Sequence, residues 1–156
     1  MSDFIHIHNH SHYSLQDGAC TVEALVHAAQ ENNMHAVALT DHGVMFGISE
    51  FYKKATKAGI KPLVGMEAYV DFEKSRFEKG GDYDGAKKKS KHYNHLILLA
   101  KNKTGYNNLM KMTTIGHIEG FYYRPRIDLE ILRKYSEGLV CTSACPAGPI
   151  ATPLIN

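Results

Sequence analysis

Alternating strand and helix patterns predict an α/β fold of barrel type, and two observations carry that prediction. Apolar runs and helical stripes alternate five times along the chain, the order expected of parallel strands joined by helical crossovers. Histidines and acids recur at or just after the ends of successive apolar runs, where barrel enzymes build their sites. A doubly wound sheet would share the alternation; the rim placement of the polar side chains favours the barrel. At 156 residues there is room for one domain, spanning 1–156, with a hydrophobic core of its own.

Taken in order, Phe4-Ile5-His6-Ile7-His8 alternates and predicts a short strand, with Phe4, His6, His8 and His10 on one face. Ser11 to Gly18 reads as a loop. Thr21 is placed to cap a helix whose buried stripe is Val22, Leu25, Val26 and Ala29. Ala36 to Thr40 is a short buried strand ending in Asp41-His42-Gly43. Ile48, Phe51, Tyr52 and Ala55 give a second helical stripe, with Gly59 as its terminator. Leu63 to Val70 predicts a third strand carrying Glu67. Residues 71–92, with Gly80-Gly81 and the lysine run 87–91, predict a polar insertion. His95 to Ala100 reads as a fourth strand and Gly105 to Ile115 as a helix burying Leu109 and Met112. A loop containing Arg124-Pro125-Arg126, a short helix near Asp128 to Lys134, and a fifth strand from Leu139 to Ser143 complete the pattern.

Composition narrows the function classes. Eighteen basic residues against sixteen acidic ones leave a formal charge of +2, too balanced to mark a dedicated nucleic-acid binder. The three cysteines, Cys20, Cys141 and Cys145, form an odd set with no signal peptide before them, which predicts a reducing, cytoplasmic setting. No apolar run approaches the roughly 18 residues of a membrane helix. Ten histidines are present, four of them at His6, His8, His10 and His12, and clustered histidine is first of all a metal signal.

His8-Asn9-His10 is the sharpest local feature, because two imidazoles at that spacing on a strand project to one face. His42 follows a buried strand, and Asp41 beside it could orient a neighbouring imidazole. Glu67 interrupts an otherwise apolar or small run, so its charge needs a partner, which a bridging position between cations would supply. Asp17, in Asp17-Gly18, reads on its own first as a turn former. His95 opens a strand and is ambiguous alone. Cys145 reads as a small buried hydrophobe or as a thiolate ligand. Arg124 and Arg126, beside Phe121-Tyr122-Tyr123, suit phosphate or DNA contact, and suit an ordinary surface loop as well. Cys20, Cys141 and the histidines at 12, 27, 35, 92 and 117 take ordinary structural readings.

These pieces, in this order, resemble the PHP (polymerase and histidinol phosphatase) family. The resemblance rests on His8-x-His10-Ser11, Ser14-x-x-Asp17-Gly18, Thr40-Asp41-His42-Gly43, Gly65-x-Glu67, His95 before Leu96-x-Leu98-Leu99-Ala100, and Ser143-Ala144-Cys145. The surrounding wording is similar to the PHP domains at the N-terminus of bacterial DNA polymerase III alpha subunits, as in Ala38-x-Thr40-Asp41-His42-Gly43-x-Met45-Phe46-Gly47 and Glu119-Gly120-Phe121-Tyr122-x-Arg124-Pro125-Arg126. The resemblance implies a distorted (βα)7 TIM-like barrel, here incomplete with about five βα units, and up to three divalent ions (zinc, manganese or iron). It implies His8, His10, Asp17, His42, Glu67, His95 and Cys145 as ligands, with Glu67, His42 and Asp17 in the catalytic roles and His6 less defined. The family's late Asp-x-His pair lies beyond Asn156, so the chain reads as truncated.

The implied activity is metal-dependent hydrolysis of phosphodiesters at a DNA 3′ end, since such a cluster acidifies water and clamps phosphate for in-line attack. A non-catalytic docking module of the replicase and a small-molecule phosphatase of the histidinol type are the rival readings. Expected partners are the DNA end, and either the remainder of the replicase or a second chain completing the barrel, since an open barrel leaves unpaired edges.

Overall fold

The structure, a computed structural model, describes residues 4–79, 83–84, 87–88 and 93–155. In chain order its elements are α1 (Val22–Glu31), β1 (Ala36–Leu39), α2 (Ile48–Lys57), β2 (Lys61–Asp71), β3 (Tyr83–Asp84), β4 (Lys87–Lys88), β5 (Asn94–Ala100), α3 (Lys103–Ile118), β6 (Phe121–Tyr122), β7 (Arg124–Asp128), α4 (Leu129–Lys134), β8 (Leu139–Thr142) and α5 (Thr152–Ile155).

Local chemistry sets the helix starts. Thr21 Oγ1 accepts the Ala24 amide at 3.1 Å, Asn102 Oδ1 accepts the Gly105 amide at 3.0 Å, and Asp128 Oδ1 accepts the Ile131 amide at 3.1 Å, each satisfying a donor the helix itself cannot. Helices α1 and α2 close over β1 with Val22, Val26, Ala29, Phe51 and Ala55, and all four residues of β1 are buried. Burial of each large apolar side chain there contributes roughly 1.5–3 kcal/mol.

Strand β2 is the axis of the sheet. One edge serves two partners in series: β1 pairs parallel from Lys61 to Val64, the same register resumes at a bridge between His42 and Glu67, and β7 then takes Tyr69 to Asp71. The other edge belongs to β5, antiparallel from Gly65 to Val70. Strand β8 pairs with β5 and ends the sheet, while β6 folds back on β7. Among the described residues the outer strands do not pair with each other, so the mixed α/β sheet is open, in keeping with an incomplete barrel.

Period 2 then divides the strands cleanly. Met66, Ala68 and Val70 of β2, Leu96 and Leu98 of β5 and Ile127 of β7 pack under α3 and α4 with Leu109, Met112 and Ile131. The alternate positions Glu67, Tyr69 and Asp71, with His95, Arg126 and Asp128 on the neighbouring strands, share the opposite face.

Four expectations change. The stretch Phe4–His10 is not a strand. His6 O accepts the Ala38 amide and Asn9 O the Thr40 amide, both at 2.9 Å, so three residues advance against two and the ladder breaks. Asn9 and Thr40 fill the gap: the Thr40 hydroxyl bonds both the amide and the carbonyl of Asn9 at 3.0 Å. The expected alternation fails with it, and His6 is exposed beside Phe4, 4.8 Å away. Second, β5 runs against β2. Among the described residues no helix lies between them, and without a crossover the chain returns in the opposite sense. Third, Arg124-Pro125-Arg126 is no loop but the start of β7. Fourth, the polar insertion is in part ordered scaffold: β2 continues to Asp71 and Arg76 is buried. The rest of it, at 80–82, 85–86 and 89–92, lies outside the described residues.

Candidate metal centre

Glu67 is 1% exposed at the middle of β2, and four histidines converge on it. Its Oε2 lies 2.9 Å from His8 Nε2, 2.8 Å from His10 Nε2 and 3.3 Å from His42 Nδ1; its Oε1 lies 2.7 Å from His95 Nδ1. Cys145 Sγ stands 3.7 Å from Oε1 and 3.6 Å from His95 Nδ1. The sites thus fall into two groups that share the carboxylate, His8–His10–Glu67 and His42–Glu67–His95.

The reversal of β5 explains how His95 takes part. It opens its strand, but on an antiparallel strand the start lies at the rim where the parallel strands finish, and Tyr69 of β2 is its cross-strand partner. Cys145 reaches the same rim from the turn after β8, which is tied to β5 by the His95 amide donating to Ala147 O at 3.0 Å.

Among the described residues no imidazole hydrogen-bonds to Asp41. Its Oδ1 accepts from the Ser11 amide (2.6 Å) and the Ser14 hydroxyl (2.9 Å), and its Oδ2 from the Ser11 hydroxyl (2.8 Å), all buried. Ser14 Oγ in turn lies 3.3 Å from His10 Nδ1 and accepts the His42 amide at 3.1 Å. The orientation expected of Asp41 is therefore relayed through Ser14. Sequence reasoning gave no role to Ser11 or Ser14; two serines three residues apart after a histidine pair were the available signal.

Asp17 is placed outside both groups. Its Oδ2 sits 2.9 Å from His42 Nε2, so the carboxylate meets the imidazole on the side away from Glu67. His42 itself is sandwiched, stacked on His10 at 4.1 Å and on Tyr69 at 5.7 Å. Tyr69, also unforeseen, packs edge-on against His95 at 5.2 Å, and burial pushes its phenol up to about 12.

Electrostatics sort the stacked pair. Burial lowers both imidazoles, but in His10 the hydrogen bond and charge of Glu67 outweigh it and leave the ring easier to protonate than usual. In His42 burial prevails over Asp17 and leaves the ring harder to protonate than usual. Burial likewise opposes ionisation of Glu67, yet hydrogen bonds from His10, His8 and His95 hold its carboxyl far below the usual range. Burial, with Glu67 adding, pushes the Cys145 thiol up.

The two arginines part company. Arg124 stays at the rim, its guanidinium bonded to Gln16 and 5.7 Å from the Tyr69 ring. Arg126 is 3% exposed, and its guanidinium donates to the carbonyls of Gly120, Arg76 and Glu78. That arginine is committed to the fold and is not free to meet a phosphate, which corrects the expectation for it.

The donor set fits divalent cations. His42 Nδ1 is buried, faces Glu67 and has no hydrogen-bond partner among the described residues, an arrangement that costs free energy unless an acceptor-seeking ion fills it. Imidazoles, a shared carboxylate and a nearby thiol are ligands for zinc, iron or manganese. The separations of 2.8–3.1 Å among His8, His10 and Glu67 are slightly tighter than the edge of about 3.4 Å in a tetrahedral site with bonds of ~2.0–2.1 Å.

A sequence profile of the PHP domain matches residues 6–156. The DNA polymerase III subunit alpha of Borreliella burgdorferi is 56% identical over 149 residues, spanning 96% of this chain and 12% of that subunit. The Treponema pallidum subunit alpha is 48% identical over 153 residues, spanning 98% of this chain and 13% of its own length. The chain thus covers about an eighth of these relatives. Among solved structures, an amidohydrolase from Chromobacterium violaceum with bound sulfate and no metal aligns over 72% of this chain and 33% of its own, with a TM-score of 0.49 at 24% identity.

Proposed function

The chain belongs to the PHP domain family, and on that footing we propose that it is a metal-dependent phosphoesterase module of a replicative DNA polymerase III alpha subunit, hydrolysing DNA phosphodiesters at 3′ ends. The observation that carries this reading is the buried Glu67 carboxylate, offering one oxygen to His8 and His10 and the other to His95. A carboxylate so enclosed needs positive charge on both sides, and two divalent ions supply it better than shared protons do.

Divalent ions in such a site act as Lewis acids that acidify water and neutralise phosphate charge. The chain's own residues then have distinct tasks. Glu67 bridges the two groups, His8 and His10 fill one, and His42 and His95 fill the other with Cys145 beside them. Asp17, bonded to the outer nitrogen of His42, fixes which nitrogen faces inward, the usual service of a carboxylate behind a liganding histidine. Asp41 and Ser14 hold His10 in place before any ion arrives. Arg124 at the rim supplies charge toward the substrate phosphate. Zinc, manganese or iron suits these ligands, the remainder of the replicase is the natural partner, and the compartment is the cytoplasm; among the described residues no helix is long and apolar enough to cross a membrane.

Elemental analysis of the purified chain, paired with release of nucleotides from a 3′-labelled single strand, tests the proposal. Bound divalent metal and slow release are expected, both lost in His8→Ala/His10→Ala. A metal-free wild type, or undiminished release by the double variant, overturns it.

A further inference from the structure

Strands β6 and β7 form a hairpin that turns on a single residue. Tyr122 pairs with Arg124, leaving Tyr123 alone at the tip with φ at 56°. That left-handed conformation is uncommon for a bulky residue, and glycine or asparagine would hold the turn with less strain. The ring does not serve the core either, since Tyr123 is 79% exposed. Its neighbour Tyr122 takes the inward place, edge-on to Tyr123 at 4.7 Å and with the Arg126 guanidinium 5.6 Å from its ring.

The tip stands at the mouth of the metal centre. Arg124, the next residue, bonds Gln16, the neighbour of Asp17, and lies over Tyr69, which stacks on His42. Pro125 is docked on the turn after His42, so closely that a Cβ at Gly43 would come within 2.6 Å of its Cγ. Leu15, next to Gln16 in the chain, is 93% exposed. A cation that could meet a phosphate thus has an uncommitted aromatic face beside it.

Building on the phosphoesterase reading, we infer that Tyr123 is a stacking platform for the nucleobase next to the phosphate under attack, a subsite that selects an unpaired nucleic-acid end over a compact phosphoester. Every base has a face that stacks on an aromatic ring, and only an unpaired base can leave its own stack to do so. A small phosphate monoester has nothing to place there.

The test uses the full chain and a single-stranded oligonucleotide ending in 2-aminopurine, first in excess EDTA so that nothing is hydrolysed. Wild type and Tyr123→Phe are expected to quench the 2-aminopurine on binding. Tyr123→Ala is expected to lose the quenching and to bind about tenfold more weakly. Equal quenching and affinity in Tyr123→Ala, or no quenching by wild type at saturation, overturns the inference. With Mn2+ added, release from a natural 3′ end is compared with release from an abasic one. Wild type is expected to favour the base about tenfold, and Tyr123→Ala to fall to the abasic rate while its rate on the abasic end is unchanged. A chain that stacks the base but cleaves neither end refutes the phosphoesterase reading alone. One that cleaves both ends equally refutes the stacking subsite alone.

Discussion

Glu67 and Asp71 leave the same strand four residues apart, on the same face, each 1% exposed, yet they live in opposite electrostatic company. Around Glu67 stand four imidazoles and a thiol, side chains that can serve as metal ligands. Around Asp71 and the neighbouring Asp128 stand guanidiniums, which stay charged at every accessible pH. Arg76 Nη1 donates to Asp128 Oδ2 at 3.0 Å and its Nε to Glu119 at 2.6 Å, while Arg126 Nη1 lies 3.8 Å from Asp71 Oδ2. The first acid sits among side chains that a metal ion can join. The second is balanced by partners nothing can replace. That difference separates a site from a scaffold built of the same ingredients.

Breaking the scaffold has the larger effect. Arg76→Met strands the Asp128 carboxylate in a buried place, and urea unfolding is expected to show a loss of about 3–5 kcal/mol with metal content unchanged. Adding Asp128→Asn, which removes the stranded charge and keeps an oxygen to cap α4, recovers a large part of it. A variant as stable as wild type, or one that also loses metal, erases the distinction. Glu67→Gln is the converse. Metal affinity, measured by chelator competition, is expected to fall on the order of a hundredfold or more, while stability in chelator holds steady or rises because a buried charge is gone. Unfolding of the metal-free variant at markedly lower urea than wild type would count against the assignment.

The smallest effect lies in acid. Burial opposes ionisation of Asp128, but the amides of Arg76 and Ile131 and the Arg76 guanidinium outweigh it and hold the carboxyl below its ordinary value. The stability it contributes is therefore complete above about pH 3.9 and is lost as pH falls through and below that value. Asp128→Asn should flatten that limb of the stability profile, and an unaltered limb would assign the acid sensitivity elsewhere.

Much of this was legible in the residues and some was not. The α1 stripe and its Thr21 cap and the buried run at Ala36–Leu39 lie where periodicity and capping chemistry put them. His8, His10, His42, Glu67, His95 and Cys145 do come together, but by separate routes: His42 follows β1, Glu67 stands mid-strand in β2, His95 arrives because β5 is reversed, and Cys145 comes from the turn after β8. The direction of β5 was illegible, since it depends on the connection before it and not on the strand's own residues. Pro125 argued against a strand, and β7 accepts it next to the hairpin turn. The fate of Arg126 turns on carbonyls from two separate segments, one at Gly120 and one at Arg76 and Glu78, which no local pattern could announce.

The broken ladder at the chain's start has a further consequence. Residues 4–10 hold to β1 by two main-chain hydrogen bonds, at His6 and Asn9, and by the Asn9 and Thr40 side chains. His8 and His10 ride on that ribbon, whereas Glu67 belongs to the innermost strand. An ion held by all three would rivet the ribbon to that strand, so that the centre would fix the opening of the chain as much as the chain fixes the centre.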